Sequence, residues 1–351
     1  MFWQGRKVLV TGHTGFKGAW LTLWLQRLGA EVTGYALEPP SRPSLFEAAR
    51  VAEGIRDHRA DVRDLESLTR VMAESGAEIV FHLAAQALVR ESYRAPVDTF
   101  AINVMGTINV LEAVRRATTP RVVIVVTSDK CYENREWHWG YREIDAVGGH
   151  DPYSASKGAA EIVTSSYRRS FFTSGSHCTR PVAVSTVRAG NVIGGGDWGA
   201  EKLVPDIVRT FCDGVPLLIR SPNALRPWQH TLDALHGYML LAERMWSEPE
   251  LADAWNFGPS DSDTRPVQWI VERMTKLWGG GASWQLDSRP APHEATLLRL
   301  DSSKARALLG WKPRLDLDQA LEWTVEWYRA HHSGRDMRSF TLEQLERYVK
   351  L

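Results

Sequence analysis

Residues 7–18 read Lys7-Val8-Leu9-Val10-Thr11-Gly12-His13-Thr14-Gly15-Phe16-Lys17-Gly18. A short apolar run breaks into glycines spaced three apart, and the helical pattern of Ala19, Leu21, Leu23, Leu25 and Leu28 follows at once. Glycine at positions 12, 15 and 18 lets the backbone approach a ligand closely, while the N-terminus of the following helix turns free N–H groups toward an anion. An ordinary tight turn has the same bare pattern. The strand before it and the helix after it make this one a turn for a dinucleotide pyrophosphate. His13 and Lys17, inside the turn, either add charge near the phosphates or point to solvent.

Working outward, the runs Val32–Leu37, Ile79–His82, Val122–Val126 and Ala183–Val187 alternate with helical stretches. That order predicts crossover units and a Rossmann-type, doubly wound parallel sheet, an α/β fold. After about residue 190 the texture changes to Gly-, Pro- and Trp-rich loops. The expected division is therefore a dinucleotide-binding domain over residues 1–190, joined by some later segments, and a smaller ligand-binding lobe over 191–351.

Two strand ends bear on the cofactor. His82-Leu83-Ala84-Ala85-Gln86 ends one strand in small residues, which lets a dinucleotide cross the sheet edge or simply packs tightly. The second strand ends in Tyr35-Ala36-Leu37 with only Glu38 beyond it, and no Arg follows immediately to take a 2′-phosphate, which favours NAD. Asp61-Val62, expected after a helical segment, either meets an adenine edge or caps the helix that starts near Leu65.

The run Val122–Val126 ends in Thr127-Ser128-Asp129-Lys130-Cys131-Tyr132, groups that a core rejects. Ligands in doubly wound sheets bind beyond the carboxyl ends of the strands, so an apolar strand with a polar tip delivers chemistry to the crevice. Tyr153 and Lys157 stand four apart on one helix face. A phenol with a pKa of about 10 is a poor base until a cation stabilises its phenolate, and Lys157 is that cation.

Charge and composition bound the rest. Lys plus Arg and Asp plus Glu are 42 each, so no net field draws the chain to nucleic acid or anionic membrane. Cys131, Cys178 and Cys212 lack metal-ligand spacing, and their odd number suits a reducing, cytoplasmic setting. No apolar segment of membrane-spanning length and no signal peptide is expected. The 15 tryptophans include Trp137 and Trp139 in polar surroundings, where an aromatic plate needs a ligand or subunit partner; core filling accounts for most of the others.

Taken in order, "VTGHTGFKG", "HLAAQ", "TSDKCY", "YENREWHWGYRE", "DPYSASKG", "VRAGNVIGGGDW", "LVPDIVR" and "RPWQHTLD" resemble the extended short-chain dehydrogenase/reductases that act on nucleotide sugars. Within them the chain is similar to the CDP-glucose branch of the 4,6-dehydratases, whose pattern after the active-site hydroxyl is Asp-Lys. The resemblance implies Ser128 as that hydroxyl, with Thr127 before it, Tyr153 as base and Lys157 as its partner. It implies NAD held by Gly12, His13, Gly15, Phe16, Lys17, Gly18, Asp61, Val62, Leu83, Ala84, Ala85, Gln86, Thr127, Tyr153 and Lys157. It also implies a nucleotide-diphosphate sugar, CDP-glucose, held by Asn191, Gly196, Asp197, Trp198, Lys202, Leu203, Val204, Arg226 and His230. Arg226 offers a planar fork to a diphosphate or forms a surface ion pair, and Arg188 binds phosphate or stabilises the lobe.

The expected reaction is oxidation at C4, loss of water across C5 and C6, and hydride return to C6, with no metal. Asp129 is the acid if burial raises its pKa. Lys130 is the base or enolate stabiliser, if burial beside Lys157 and the nicotinamide depresses it. A C4 epimerase needs no such pair, and a non-catalytic dinucleotide sensor needs none of this chemistry. The helices around Val97–Arg116 and Tyr153–Ser170 resemble the pair that builds a four-helix homodimer interface.

Overall fold

The computed structural model describes residues 2–173, 180–287 and 297–351; Cys178 lies outside them. Seven strands form one parallel sheet: β1 (Lys7–Thr11), β2 (Glu31–Ala36), β3 (Arg56–Arg59), β4 (Ile79–His82), β5 (Val122–Val126), β6 (Ala183–Ala189) and, after β7 to β9, β10 (Ala254–Phe257). Their order is β10-β6-β5-β4-β1-β2-β3, so the chain reverses direction across the sheet between β1 and β4. That switch point is where a doubly wound sheet opens its ligand crevice.

Alternation along the strands builds a core on each face. Val8 and Val10 of β1 join Phe81, Ile124 and Val187 in one buried cluster, which the helices Phe16–Arg27, Thr231–Ser247 and Leu317–His332 cover. Leu9 joins Val80, Val123, Val125 and Val184 in the other, beneath the helices Leu65–Ser75 and Gly106–Arg116. Trp20, Trp255, Trp311 and Trp327 are fully buried, so core filling does account for these tryptophans. β3 reads Arg-Asp-His-Arg and carries no apolar pattern; its backbone pairing with β2 alone makes it a strand.

The later segments do two things. β10 returns to the main sheet beside β6, whereas β7 (Asn191–Ile193), β9 (Leu225–His230) and β11 (Thr264–Pro266) make a small separate sheet. β8 (Leu217–Ile219) pairs with β12 (Trp284–Leu286) beyond it. The expectation about apolar segments needs correction. The helical stretch Pro96–Arg116 has 21 residues and is apolar enough, by length and composition, to cross a bilayer, but half of it is buried within the fold.

Candidate active site

The glycine turn sits at the switch point and is locked to the end of β4. Gly12 has φ 74°, and a Cβ there would lie 2.6 Å from the Ala84 nitrogen. Thr11 receives Leu83 N–H on its carbonyl at 3.1 Å, Ala84 N–H on its hydroxyl at 3.3 Å, and shares a 2.7 Å hydrogen bond with His82 Nδ1. Gly18 touches the same turn from the helix side, since a Cβ on it would meet the Gly12 oxygen at 2.1 Å. Gly15 is the N-cap of the helix Phe16–Arg27; no side chain caps it and no acid stands in the first turn. This twelve-residue helix thus presents the uncapped N–H groups of its first turn, with Lys17 among them and no negative charge beside them, which fits a pyrophosphate. Burial, then the nearby Lys202, pushes Lys17 down to about 8, against the pull of Asp129 and Asp197. Lys17 therefore faces the cleft and not bulk solvent. Ala85 follows, half-buried, and Gln86 is tied to Asn103, whose amide donates to Ser156 Oγ at 2.8 Å.

The adenosine end departs from expectation. His13 lies neither at the phosphates nor in solvent: its ring is wholly buried against Gly34, with Nε2 2.8 Å from Asp57 Oδ1. Burial pushes this imidazole below its ordinary range despite the Asp57 partner. Asp61 follows a strand, β3, instead of a helical segment, and it is not the helix cap. Asp64 caps Leu65–Ser75 by accepting from Ser67 N, while Asp61 binds Arg63 at 2.7 Å. Val62 packs against Gly106, and its carbonyl accepts from Asn109 at 3.1 Å. An arginine does reach the end of β2, but from β3: Arg59 binds Asp57 at 2.9 Å and Glu38 at 3.4 Å. Two carboxylates pair with it, so Arg59 is not an open cation for a 2′-phosphate.

At the tip of β5, Ser128 leaves the strand in extended conformation and caps a short 3₁₀ turn, Asp129–Cys131. Its hydroxyl donates to Asp129 Oδ1 at 3.0 Å and lies near the Tyr153 phenol. Asp129 is 3% exposed, and its Oδ2 meets no partner among the described residues. Burial raises its pKa, against the pull of Lys130, Ser128 and Arg226. Asp151 caps the helix Pro152–Tyr167 by accepting from Ser154 N, with Pro152 in its first turn, and so fixes where Tyr153 points. Burial pushes the Tyr153 phenol up and Lys157, beside Lys17, down to about 7; Lys157 donates to the Val126 carbonyl at 3.2 Å. Lys130 has a different setting from the one expected. It is half-buried with Asp129 as its charged neighbour, and it lines a cavity of about 630 Å³ shared with Tyr93, Asn134, His150, Ser154 and Arg226.

On the substrate side, Arg226 is buried at that cavity wall, not on the surface, and acts on Asp129. Asn191 is in β7, opposite Trp228. Gly196 takes φ 86° against Leu45, and Asp197 binds Lys202 at 2.9 Å, with Lys17 near both. Trp198 packs edge-on to Tyr328, 5.1 Å between ring centroids, and Leu203 and Val204 open the helix Leu203–Cys212. His230 is not brought to the cavity. It is fully buried between Trp20 and Trp323, and its Nδ1 caps the helix Thr231–Ser247. Arg188 binds no outside phosphate either, being buried in an ion pair with Glu161 that the sequence reading missed.

Residues 8–258 match the model of the NAD dependent epimerase/dehydratase family. The chain is 50% identical over 349 residues to a CDP-glucose 4,6-dehydratase from Salmonella typhimurium, covering 99% of this chain and 97% of that one. Among solved structures it is similar to a dTDP-glucose 4,6-dehydratase from Bacillus anthracis in complex with NAD, with TM-score 0.76, 19% identity and coverage of 95% and 100%. A UDP-glucose-4-epimerase from Stenotrophomonas maltophila with bound NAD shares the fold at TM-score 0.81 and 22% identity, with coverage of 93% and 99%. A glycine turn joined to the end of β4, a Tyr/Lys helix and a polar β5 tip fall within the span of that family model, and the chain belongs to the NAD dependent epimerase/dehydratase family.

Proposed function

We propose that the chain is a CDP-glucose 4,6-dehydratase, which converts CDP-glucose to CDP-4-keto-6-deoxyglucose and water. The observation that carries this reading is the buried, upshifted Asp129 carboxyl, which accepts from Ser128 with the Tyr153 phenol close by and Lys130 beside it at the cavity wall. A C4 epimerase has no use for an acid and a base beyond Tyr153. The 50% identical relative points to the same reaction and supplies the nucleobase, which the cavity alone does not specify.

NAD, when bound, accepts hydride from C4 and returns it at C6. Everything else falls to the chain. Tyr153, oriented by Ser128 and stabilised as phenolate by Lys157, takes the C4 hydroxyl proton. The 4-ketone acidifies C5–H, which Lys130 removes or whose enolate it stabilises, while Asp129 gives its proton to the C6 hydroxyl as water leaves. One proton returns to C5. The proton gained by Tyr153 passes through the Ser128 hydroxyl to recharge Asp129, so protons balance over the cycle. Arg226 and Lys202 are the cations for the diphosphate.

Catalysis is expected to be redox-neutral. With CDP-glucose and a trace of NAD, a product lighter by one water should accumulate in large excess over the cofactor. An isomer of unchanged mass would mean epimerisation, unaltered substrate would mean a sensor, and product limited by the NAD added would mean a simple dehydrogenase.

A cytoplasmic homodimer completes the reading. Val97 and Ile162, on the stretch Pro96–Arg116 and on the helix Pro152–Tyr167, are 80% and 61% exposed, with Phe100 and Met105 also outward. Those helices should pair with their copies, and sedimentation at micromolar protein should give twice the chain mass; a monomer would reject this part.

A further inference from the structure

Tyr153, Lys157 and Glu161 are spaced four apart on one face of the helix Pro152–Tyr167. Glu161 points into the protein. Its carboxylate accepts from Thr127 Oγ1 at 2.5 Å, Thr186 Oγ1 at 2.6 Å, and Arg188 Nε and Nη2 at 2.8 Å each. Glu161 and Arg188 are only 6% and 3% exposed. Arg188 Nη1 donates to the Tyr132 hydroxyl at 2.6 Å, and Tyr132 donates to Asn256 Oδ1 at 2.8 Å. Asn256 is held in turn by the carbonyls of Tyr141 and Asp301.

The partners are the informative part. Thr127 immediately precedes Ser128, and Tyr132 immediately follows the turn Asp129–Cys131, so one ion pair grips both ends of the polar tip. Beyond Thr127, whose N–H still donates to the Val187 carbonyl of β6 at 2.9 Å, that tip has left the sheet. A buried ion pair of this kind contributes little net stability compared with apolar residues of the same volume, which makes fold glue an incomplete account. We propose that Glu161 and Arg188 are positioning residues that fix the Tyr153–Lys157 face against the Ser128–Lys130 tip and set the charge state of Lys157.

The electrostatics follow from the same geometry. Lys157 faces Lys17 from the glycine turn, His82 from β4, Cys131 from the tip and Glu161 from its own helix; burial and Lys17 disfavour its charge, and Glu161 favours it. Tyr153 faces Ser128, Asp129, Cys131, Asp151 and Tyr238. Loss of the Glu161 charge leaves Arg188 unbalanced and drives Lys157 toward neutrality, so the Tyr153 phenolate forms only at higher pH. Loss of the Arg188 charge does the reverse.

This inference rests on the proposed dehydratase reaction for its kinetic arm alone. Glu161→Gln should move the rising limb of kcat/KM for CDP-glucose upward by about one pH unit or more, and Arg188→Gln should move it downward. The double variant should return it near wild type. Glu161→Asp, which keeps the charge and shortens the reach, should leave the limb in place and lower kcat by roughly 10²-fold at unchanged KM. The second arm needs no substrate: titration of ¹³C-labelled Lys157 by NMR should show its pKa falling in Glu161→Gln and rising in Arg188→Gln. Should either single variant fail to fold, the double variant and Glu161→Asp carry the test. Limbs and Lys157 titrations that stay within experimental error of wild type, or shift in the same direction in both single variants, would overturn the proposal. If wild type does not dehydrate CDP-glucose while the Lys157 titrations move in opposite directions, the functional reading fails and the positioning pair stands.

Discussion

Tyr153→Phe is expected to lower CDP-glucose turnover by on the order of 10²–10⁴-fold while the protein stays folded. The substitution removes one oxygen from a residue already packed at the crevice floor, so the ring keeps its contacts. What it deletes is the only phenol on the Lys157 face of that helix. The stability cost should be at most the roughly 1 kcal/mol of one ordinary hydrogen bond, offset because a hydroxyl no longer has to be buried. Circular dichroism and a thermal melt check the fold, and product mass after quenching checks the chemistry. Turnover near wild type would remove Tyr153 from the role of base.

The parts of this site that are local in sequence were legible, and the parts assembled by packing were not. The glycine turn and the Tyr/Lys pair carry their geometry in their spacing, since a strand–turn–helix and a helical i, i+4 relation each fix relative positions within a few residues. β3 is the opposite case. Arg-Asp-His-Arg has no apolar alternation, because this edge strand gains its place from the β2 backbone, and its loss to view also hid Arg59 beside Glu38. His13 looked like a phosphate ligand or a solvent group because nothing nearby in sequence announces Asp57, 44 residues later. Glu161 and Arg188 are 27 residues apart on a helix and a strand that only the folded sheet brings together. Asp61 and Asp64 are both plausible caps by type; the register of one helical turn decided for Asp64. His230 illustrates the reverse error, a polar residue in a shared motif whose position is structural, at the N-cap of a core helix.

Lys130→Met should separate the two halves of the reaction. C4 oxidation depends on Tyr153 and Lys157, which the change leaves untouched, whereas removal of the C5 proton, or stabilisation of the enolate left behind, depends on the Lys130 amine at the cavity wall. The expected outcome is a 4-keto sugar that still carries its C6 hydroxyl, held on the enzyme, with dehydration slowed by on the order of 10²–10⁴-fold. Asp129→Asn should block the same overall step by a different route, because an amide in that buried site cannot supply the proton that the leaving hydroxyl needs. Its neutral form resembles the protonated carboxyl that burial already favours, so the fold should tolerate it. Solvent deuterium distinguishes the two variants. If Lys130 handles the C5 proton, Lys130→Met should suppress exchange at C5 in the trapped ketone, while Asp129→Asn, with its base intact, should exchange freely without losing water. Rapid quenching followed by mass and NMR analysis of the sugar reads both quantities in one experiment. Wild-type dehydration by Lys130→Met would move the C5 base to Tyr153 or to a bound water; full exchange at C5 without dehydration would instead assign Lys130 to water loss alone. The setting seen here gives the experiment its force: Asp129 and Lys130 are adjacent in sequence, yet the 3₁₀ turn buries the carboxyl against Ser128 and leaves the ammonium half-buried at the cavity wall. One strand tip thereby holds an acid whose protonated form burial favours beside a lysine at the cavity wall, the acid and base partners that an elimination across C5 and C6 uses.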